Sequence, residues 1–131
     1  MKILIISHAA GTPEIGPNLR TFYLATKLST NNHQVRVIGA DKFHKYHKNP
    51  LQVYGRSDII IEGVHYRWLK TTNYNNRFTQ IINQISFGIS FFQKMKDLVS
   101  FNPDIIIFSS PPPISLLPVV YFSKKINKKL I

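Results

Sequence analysis

The sequence lacks several features that would assign a protein to a class at once. It has no cysteine, which excludes disulfide bonds, thiolate chemistry and cysteine-based metal sites. It has no uninterrupted apolar run of about eighteen residues, so no transmembrane helix is predicted. Its first residues lack the basic region and cleavage site of a signal peptide. These absences predict a cytoplasmic protein.

Acidic residues are also few. Lysine and arginine together number 17, whereas aspartate and glutamate number 6, which gives a formal net charge of +11 at pH 7. Charge of this size indicates an anionic partner or surface, such as phosphate groups, nucleic acid or anionic lipid. The charge does not distinguish these partners. The 131 residues, 44% of them hydrophobic, suffice for one domain with a core.

The first thirty residues predict a strand, a loop and a helix. Residues 2–7 contain consecutive large apolar side chains without alternation, which is typical of a strand buried on both faces of a parallel sheet. Pro17 suits the first position of a helix, where its missing N–H costs nothing. Free N–H groups at this helix start, between Gly16 and Asn18, would face a cleft beyond the strand and can bind an anion.

Two charged residues lie near this helix start. Arg20 can bind a phosphate or a carboxylate, or it can simply be solvated. Glu14 can act as a base or orient a hydroxyl group, although a lone loop carboxylate is more often solvated. Both interpretations stay open for each residue.

A second parallel strand is predicted at residues 34–39, followed by a long, basic and mobile loop at residues 40–57. His44 and His47 in this loop, with His8 near them, would hold a metal only if the loop folded over and a carboxylate joined, and we predict no metal site. The sequence therefore predicts a basic second loop at the cleft.

A hairpin and a long helix follow. Residues 58–61 and 64–69 predict a hairpin at the edge of the sheet, because two apolar segments flank a short Glu-Gly turn. One helix is predicted at residues 75–100, which contain no proline. Its predicted core stripe consists of Phe78, Ile81, Ile82, Ile85, Ile89, Phe92 and Val99.

A second apolar stripe lies on nearly the opposite side of this helix. It contains Phe87, Phe91 and Leu98, with Lys94 nearby. Two interpretations stay open. The stripe contacts the inner surface of the cell membrane, or it packs against a neighbouring helix or a missing segment.

The last part of the chain completes the pattern. It predicts a buried strand at residues 104–108, a loop that begins with Ser109 and Ser110, a helix at residues 114–127 kinked at Pro118, and the start of a further strand. The order of elements predicts an α/β fold, a doubly wound Rossmann-like parallel sheet with an edge hairpin, incomplete at its carboxyl end. Ligands of such sheets bind beyond the carboxyl ends of the strands. No G-x-G-x-x-G or Walker motif is present, and we predict no cofactor.

Several segments together resemble a known family. They are residues 11–20 (GTPEIGPNLR), 23–25 (YLA), 32–35 (NHQV), 39–44 (GADKFH), 62–71 (EGVHYRWLKT) and 103–111 (PDIIIFSSP). In order and spacing they are similar to the amino-terminal domain of a GT-B type glycosyltransferase of family four, in the subgroup that builds capsule and O-antigen lipopolysaccharide. Asn32 stands where the family usually has glycine, and asparagine tolerates the same left-handed conformation.

The resemblance implies two domains with separate tasks. The amino-terminal domain receives a saccharide acceptor, often lipid-linked, and a carboxyl-terminal domain binds the nucleotide-sugar donor. Residues 1–131 would be a partial acceptor-side domain without the donor domain, and would transfer no sugar alone. By position, the residues that the resemblance places on the acceptor side of the cleft are Glu14, Gly16, Arg20, His44, Ser109 and Ser110. Pro17 and Asn18, at the predicted helix start, complete the predicted binding site. The resemblance implies no catalytic residue among them.

A stand-alone binding module for nucleic acid or another polyanion is the alternative function. The basic second loop, with Tyr46 and Tyr54, could bind nucleic acid, although its aromatic residues are not arranged as a stacking platform. The sequence contains no signature of an RNA- or DNA-binding module, so nucleic acid is the less favoured partner.

Overall fold

A computed structural model describes residues 1–16, 18–109 and 113–131. Within these residues, helices cover both faces of a six-stranded sheet. The strands are β1 (Lys2–Ile6), β2 (Gln34–Ala40), β3 (Asp58–Ile61), β4 (Val64–Leu69), β5 (Ile105–Phe108) and β6 (Lys129–Leu130). The helices are α1 (Arg20–Thr30), α2 (Pro50–Tyr54), α3 (Arg77–Gln93), α4 (Met95–Phe101) and α5 (Leu116–Lys125).

The strand order in the sheet is β3-β4-β2-β1-β5-β6. Strand β3 pairs antiparallel with β4, and the other neighbouring strands are parallel. Central strand β1 places Ile5 opposite Val37 on one side and Ile107 on the other. The predicted α/β class, a doubly wound Rossmann-like sheet with an edge hairpin, is confirmed. The strand order reverses between β1 and β5, the position where such sheets bind ligands.

The two faces of the sheet carry two separate cores. In β1, Ile3 and Ile5 pack toward α1 and α2, whereas Leu4 and Ile6 pack toward α3, α4 and α5. All four side chains are at most 3% exposed. This two-sided burial explains why the strand is apolar without alternation.

The hairpin places β4 inside the sheet. Strand β3 is the edge strand, while β4 also pairs with β2, for example through Tyr66 opposite Val37. Because β4 runs parallel to β2, its carboxyl end opens onto the same edge of the sheet as those of β1, β2 and β5. The segment after β4 therefore belongs to the cleft, which the sequence did not indicate.

Helix α1 begins at Arg20, later than the predicted start at Pro17, which lies outside the described residues. The side chain of Asn18 donates a hydrogen bond to the carbonyl of Ala9 at 2.9 Å, so Asn18 belongs to the preceding loop. After α1 ends, Asn32 has φ of 65°, and the predicted left-handed conformation of this residue is confirmed.

The predicted long helix is divided at Lys94 into α3 and α4. Asn76 and Thr79 start α3 with a capping box, in which the side chain of each accepts a hydrogen bond from the backbone of the other. The prediction of which side of α3 and α4 packs against the sheet is wrong. The predicted core stripe is exposed, from 39% at Ile82 to 72% at Phe78.

The residues predicted as membrane-contact candidates are mostly buried. Phe87, Phe91 and Leu98 are at most 1% exposed, and they pack in the core between α3, α4 and the sheet. The prediction that these three side chains contact a membrane is therefore wrong. Of the four candidates, only Lys94 is exposed. The buried side of α3 also carries Asn83 and Gln84, whose polarity made it resemble the solvent side.

The predicted helix with a kink at Pro118 placed this residue inside the helix, whereas it lies at the helix start. Helix α5 begins at Leu116, so Pro118 lies in its first turn, where a backbone N–H has no partner within the helix. Proline is tolerated there without bending the helix.

Candidate functional site

Four segments meet at the carboxyl edge of the sheet. We call the segments after β1, β2, β4 and β5 loop 1 (residues 7–19), loop 2 (41–49), loop 3 (70–76) and loop 4 (109–115). Loop 1 is described except at Pro17, and loop 4 except at residues 110–112. The predicted site residue Ser110 therefore lies outside the described residues, as does Pro17.

Loop 1 closes tightly on itself. A Cβ atom on Gly11 would lie 2.7 Å from the carbonyl oxygen of Asn18, a distance that only glycine tolerates. The side-chain bond from Asn18 to the carbonyl of Ala9 fixes the same closure. Asn18 thus shapes the loop.

Loop 2 is fastened to loop 1. The hydroxyl of Tyr46 donates to the carbonyls of Ala10 and Ala40, at 3.1 and 3.2 Å. The N–H of His47 donates to the carbonyl of Ile15 at 2.8 Å. A Cβ atom on Gly16 would lie 3.1 Å from the ring of Tyr46. Loop 2 is therefore anchored, whereas the sequence predicted a mobile segment, and buried Gly16 packs against this anchor.

The carboxylate of Glu14 is exposed and held in place. Its Oε2 accepts hydrogen bonds from the hydroxyls of Tyr54 at 2.8 Å and Thr12 at 3.3 Å. The ring of Tyr54 stacks on Trp68 with centroids 5.3 Å apart. Burial, together with the nearby carboxylate, raises the pKa of Tyr54 to about 12, although the hydrogen bond with Thr12 opposes this. Tyr54 therefore stays protonated at neutral pH and donates to Glu14.

A polar pocket of about 280 Å³ lies between loops 2 and 3. His44 is exposed beside it, and its backbone N–H and its Nδ1 both lie within 2.9 Å of the hydroxyl of Tyr74. The pocket lining also includes Lys42, His47 and Lys48, together with the buried Asp41 that pairs with Lys42, so basic side chains outnumber acidic ones in the lining. An anionic group suits such a lining better than a cation does.

Arg20 is the exposed first residue of α1. The first turn of α1 contains no acidic residue, and the side chain of its N-cap residue, Leu19, forms no capping hydrogen bond. A cation at this end of a helix is opposed by the helix dipole, which favours an anion there. Among the ion pairs of the described residues, none involves Arg20. Arg20 is therefore available to an anionic ligand.

His8 and Ser109 lie where the strand order reverses. Ser109 follows β5, and its N–H donates to the carbonyl of Ile6 at 2.8 Å. His8 follows β1, is 4% exposed, and its ring lies 5.0 Å from that of Phe87. Burial lowers the pKa of His8, while a hydrogen bond with Asn83 partly opposes this. His8 is therefore a neutral side chain below the cleft at pH 7.

Sequence patterns predicted several of these residues as members of one site and did not indicate others. Glu14, Gly16, Asn18 and Arg20 belong to loop 1 and the start of α1, with His44 in loop 2 and Ser109 in loop 4. Sequence patterns did not indicate Asp41, Tyr74 or the role of His8 as parts of the site. A polar residue directly after a buried strand was the available signal for His8. Within residues 1–16, 18–109 and 113–131, no cluster of three His, Cys, Asp or Glu side chains could hold a metal ion.

Comparison with known proteins supports the fold. No family model and no curated protein matches the chain. Two crystal structures of the C-terminal domain of a hydrogenase from Pyrococcus furiosus have a similar fold, with TM-scores of 0.63 and 0.61 and identities of 14% and 11%. Each comparison covers 99% of this chain and 88% of that chain. Such low identity shows the α/β fold alone.

Proposed function

We propose that this chain is the acceptor-side domain of a GT-B type glycosyltransferase that moves a sugar from a nucleotide-sugar donor to a lipid-linked saccharide in surface polysaccharide synthesis. The sequence resemblance suggests this function. The observation that carries it in the structure is Arg20 at the uncapped start of α1, next to loop 1. A guanidinium and helix N–H groups together suit the phosphate that links a saccharide to a lipid carrier.

The neighbouring groups fit the rest of such an acceptor. Glu14 is an exposed carboxylate with a fixed direction, which suits a sugar hydroxyl as a hydrogen-bond donor. His44 and the basic pocket of loop 2 extend the positive edge. We assign these residues to acceptor binding and name none of them as catalytic.

Transfer itself requires a second domain in this proposal. Donor phosphates, leaving group and acceptor must be held together for the reaction, and a donor-binding domain supplies the other side of the cleft. We propose that the isolated chain binds the acceptor without turnover. The proposed location is the cytoplasm, at the inner face of the cell membrane, where a lipid-linked acceptor would be presented.

Calorimetric titration of the purified chain tests this function against the alternative polyanion module. The probes are geranyl diphosphate-linked N-acetylglucosamine as a water-soluble acceptor, uridine diphosphate N-acetylglucosamine as a donor, and a short oligouridylate. We expect the acceptor probe to bind at least about tenfold more tightly than the other two, because only it combines a lipid-linked diphosphate with a sugar.

Two results would contradict this proposal. Tighter binding of oligouridylate, with a steep salt dependence, would favour the nucleic-acid module. Failure of the acceptor probe to bind at millimolar concentration would remove the cleft as an acceptor site.

A further inference from the structure

We infer that the outward side of α3 is a docking surface for an anionic lipid bilayer. We call this surface the α3 face. It comprises Phe78, Ile81, Ile82, Ile85, Ile89 and Phe92 of α3, Val99 of α4, and Leu117 and Tyr121 of α5.

The side chains of the α3 face are large, apolar and exposed. Phe78 is 72% exposed, Ile89 is 55% exposed and Leu117 is 70% exposed. The opposite side of α3 is already buried against the sheet through Phe87 and Phe91. The outward stripe is therefore additional to the core, and contiguous apolar surface of this kind marks an interaction site.

The patch continues from α3 onto α5. The rings of Phe92 and Tyr121 lie 5.5 Å apart, so the stripe joins the exposed side of α5. A groove beyond this pair is lined by Val99 and by the two lysines Lys96 and Lys125. Apolar side chains thus lie directly beside positive charges.

The charges around the α3 face have one sign. Helix α3 contains Arg77 and no acidic residue, and exposed Lys94 and Lys96 follow it. Exposed Lys124 and Lys125 end α5. The acid of α4, Asp97, is paired instead with Arg67 at 2.5 Å and Arg36 at 3.6 Å. The basic border is therefore not neutralised from within this surface.

An anionic bilayer satisfies both properties together. Ile and Phe side chains enter the boundary between headgroups and acyl chains, while lysines reach the lipid phosphates. No helix among the described residues is long and apolar enough to cross a membrane. The stripe runs along α3 from its first turn to its last, so α3 would lie parallel to the membrane plane.

A second copy of the chain fits less well. Both copies of such a pair would bring a surface bordered by Lys94, Lys96, Lys124 and Lys125 to the contact. Repulsion between these like charges disfavours such a pair, whereas anionic lipid gains from the same charges.

Vesicle sedimentation tests the inference. The intact chain is mixed with vesicles of equal parts phosphatidylglycerol and phosphatidylcholine, or of phosphatidylcholine alone. The test variant is Ile82→Ser with Ile89→Ser, and the control is Ile60→Ser, which removes a 71% exposed isoleucine from edge strand β3. Circular dichroism confirms that each variant is folded, as expected for exposed positions.

We expect the unaltered chain and the control to bind the anionic vesicles, and the double variant to bind at least about tenfold more weakly. Replacing Lys96 and Lys125 by Gln should weaken binding by about fivefold for each lysine. Equal binding by the double variant would overturn the inference, as would equal binding of the unaltered chain to both vesicle types. A dimer in sedimentation velocity that the double variant dissociates, without vesicle binding, would assign the α3 face to self-association instead.

This inference deepens the proposed membrane location, and it can fail separately from the proposed function. The vesicles contain no sugar or isoprenyl diphosphate, so their binding reports on the α3 face alone. Acceptor binding in the calorimetric titration reports on the cleft.

Discussion

The carboxylate of Asp41 ties the end of β2 to the segment after β4 through Thr71. Its Oδ1 accepts hydrogen bonds from the N–H of Thr71 at 2.9 Å and from the hydroxyl of Thr71 at 2.8 Å. The ammonium of Lys42 lies 3.3 Å from Oδ2 and donates to the carbonyl of Thr71 at 2.9 Å. Asp41 is 1% exposed, so water cannot replace these bonds in the folded state.

Replacing Asp41 should therefore destabilise the protein strongly. Asp41→Ala leaves the buried N–H of Thr71 without its acceptor, and we expect the free energy of unfolding to fall by about 3 kcal/mol. Urea denaturation measures this change. Thr71→Val is the matched control, since it removes only the hydroxyl and should cost about 1 kcal/mol. A smaller effect for Asp41→Ala than for Thr71→Val would show that the strand ends are held in another way.

Two glycine substitutions should have opposite effects. Gly11→Ala would place a Cβ atom 2.7 Å from the carbonyl oxygen of Asn18, so loop 1 must open and stability should fall by about 1–3 kcal/mol. Among the described residues, a Cβ atom on Gly88 of α3 would meet only Pro118 Cγ, at 3.5 Å, so Gly88→Ala should raise stability by about 0.5–1 kcal/mol. Thermal unfolding of both variants checks the pair. Stabilisation by Gly11→Ala would refute the closed form of loop 1.

The sheet could be predicted because its strands carry a strong local signal. Residues 3–6 and 105–108 are apolar at every position, which is typical of a parallel strand between two helical layers. The orientation of α3 could not be predicted in the same way. Both of its sides are apolar, and Asn83 on the inner side finds its acceptor in the carbonyl of Thr72. That partner becomes visible only after folding.

The candidate site could likewise be predicted only in part from the sequence. Glu14, Arg20 and His44 could be placed at the cleft, because they follow predicted strands or open a predicted helix. The partners that orient them lie far away in sequence, such as Tyr54 for Glu14 and Tyr74 for His44. Local patterns carry no information about such pairs, so the geometry of the site could not be predicted from the sequence.

The stability of the protein should depend on pH through His8. Burial lowers the pKa of His8 in the folded state, whereas the unfolded value is about 6.5. The unfolded chain therefore binds the proton more readily, and stability is full above pH 6.5 and falls as the pH decreases below it. His8→Gln removes this contribution.

Urea denaturation of both proteins between pH 7 and pH 5 measures the effect. We expect the destabilisation caused by His8→Gln to be largest at pH 7 and to shrink toward pH 5. The pKa of His65 is also lowered, by burial first and then by the charge of Arg36, so His65→Gln provides a separate comparison. A constant difference between wild type and His8→Gln across this range would exclude His8 as a titrating group.

Arg20 should matter for binding and not for folding. Arg20→Ala removes an exposed guanidinium, and loss of its charge-assisted hydrogen bonds should weaken binding of the geranyl diphosphate-linked sugar by about tenfold to a hundredfold. Unfolding by urea should be nearly unchanged. Lys27→Ala in the last turn of the same helix is the matched control and should bind normally. Equal binding by both variants would remove Arg20 from the site.

The contact between Gly16 and Tyr46 couples the packing of two loops. A larger residue at position 16 would displace the Tyr46 ring, which lies 3.1 Å from the place of its Cβ atom, and with it the bonds to Ala10 and Ala40. Homologous sequences should therefore change these two positions together, with a smaller side chain at 46 wherever glycine is lost at 16. Grafting loop 1 from such a homologue would succeed only if its own loop 2 were transferred with it.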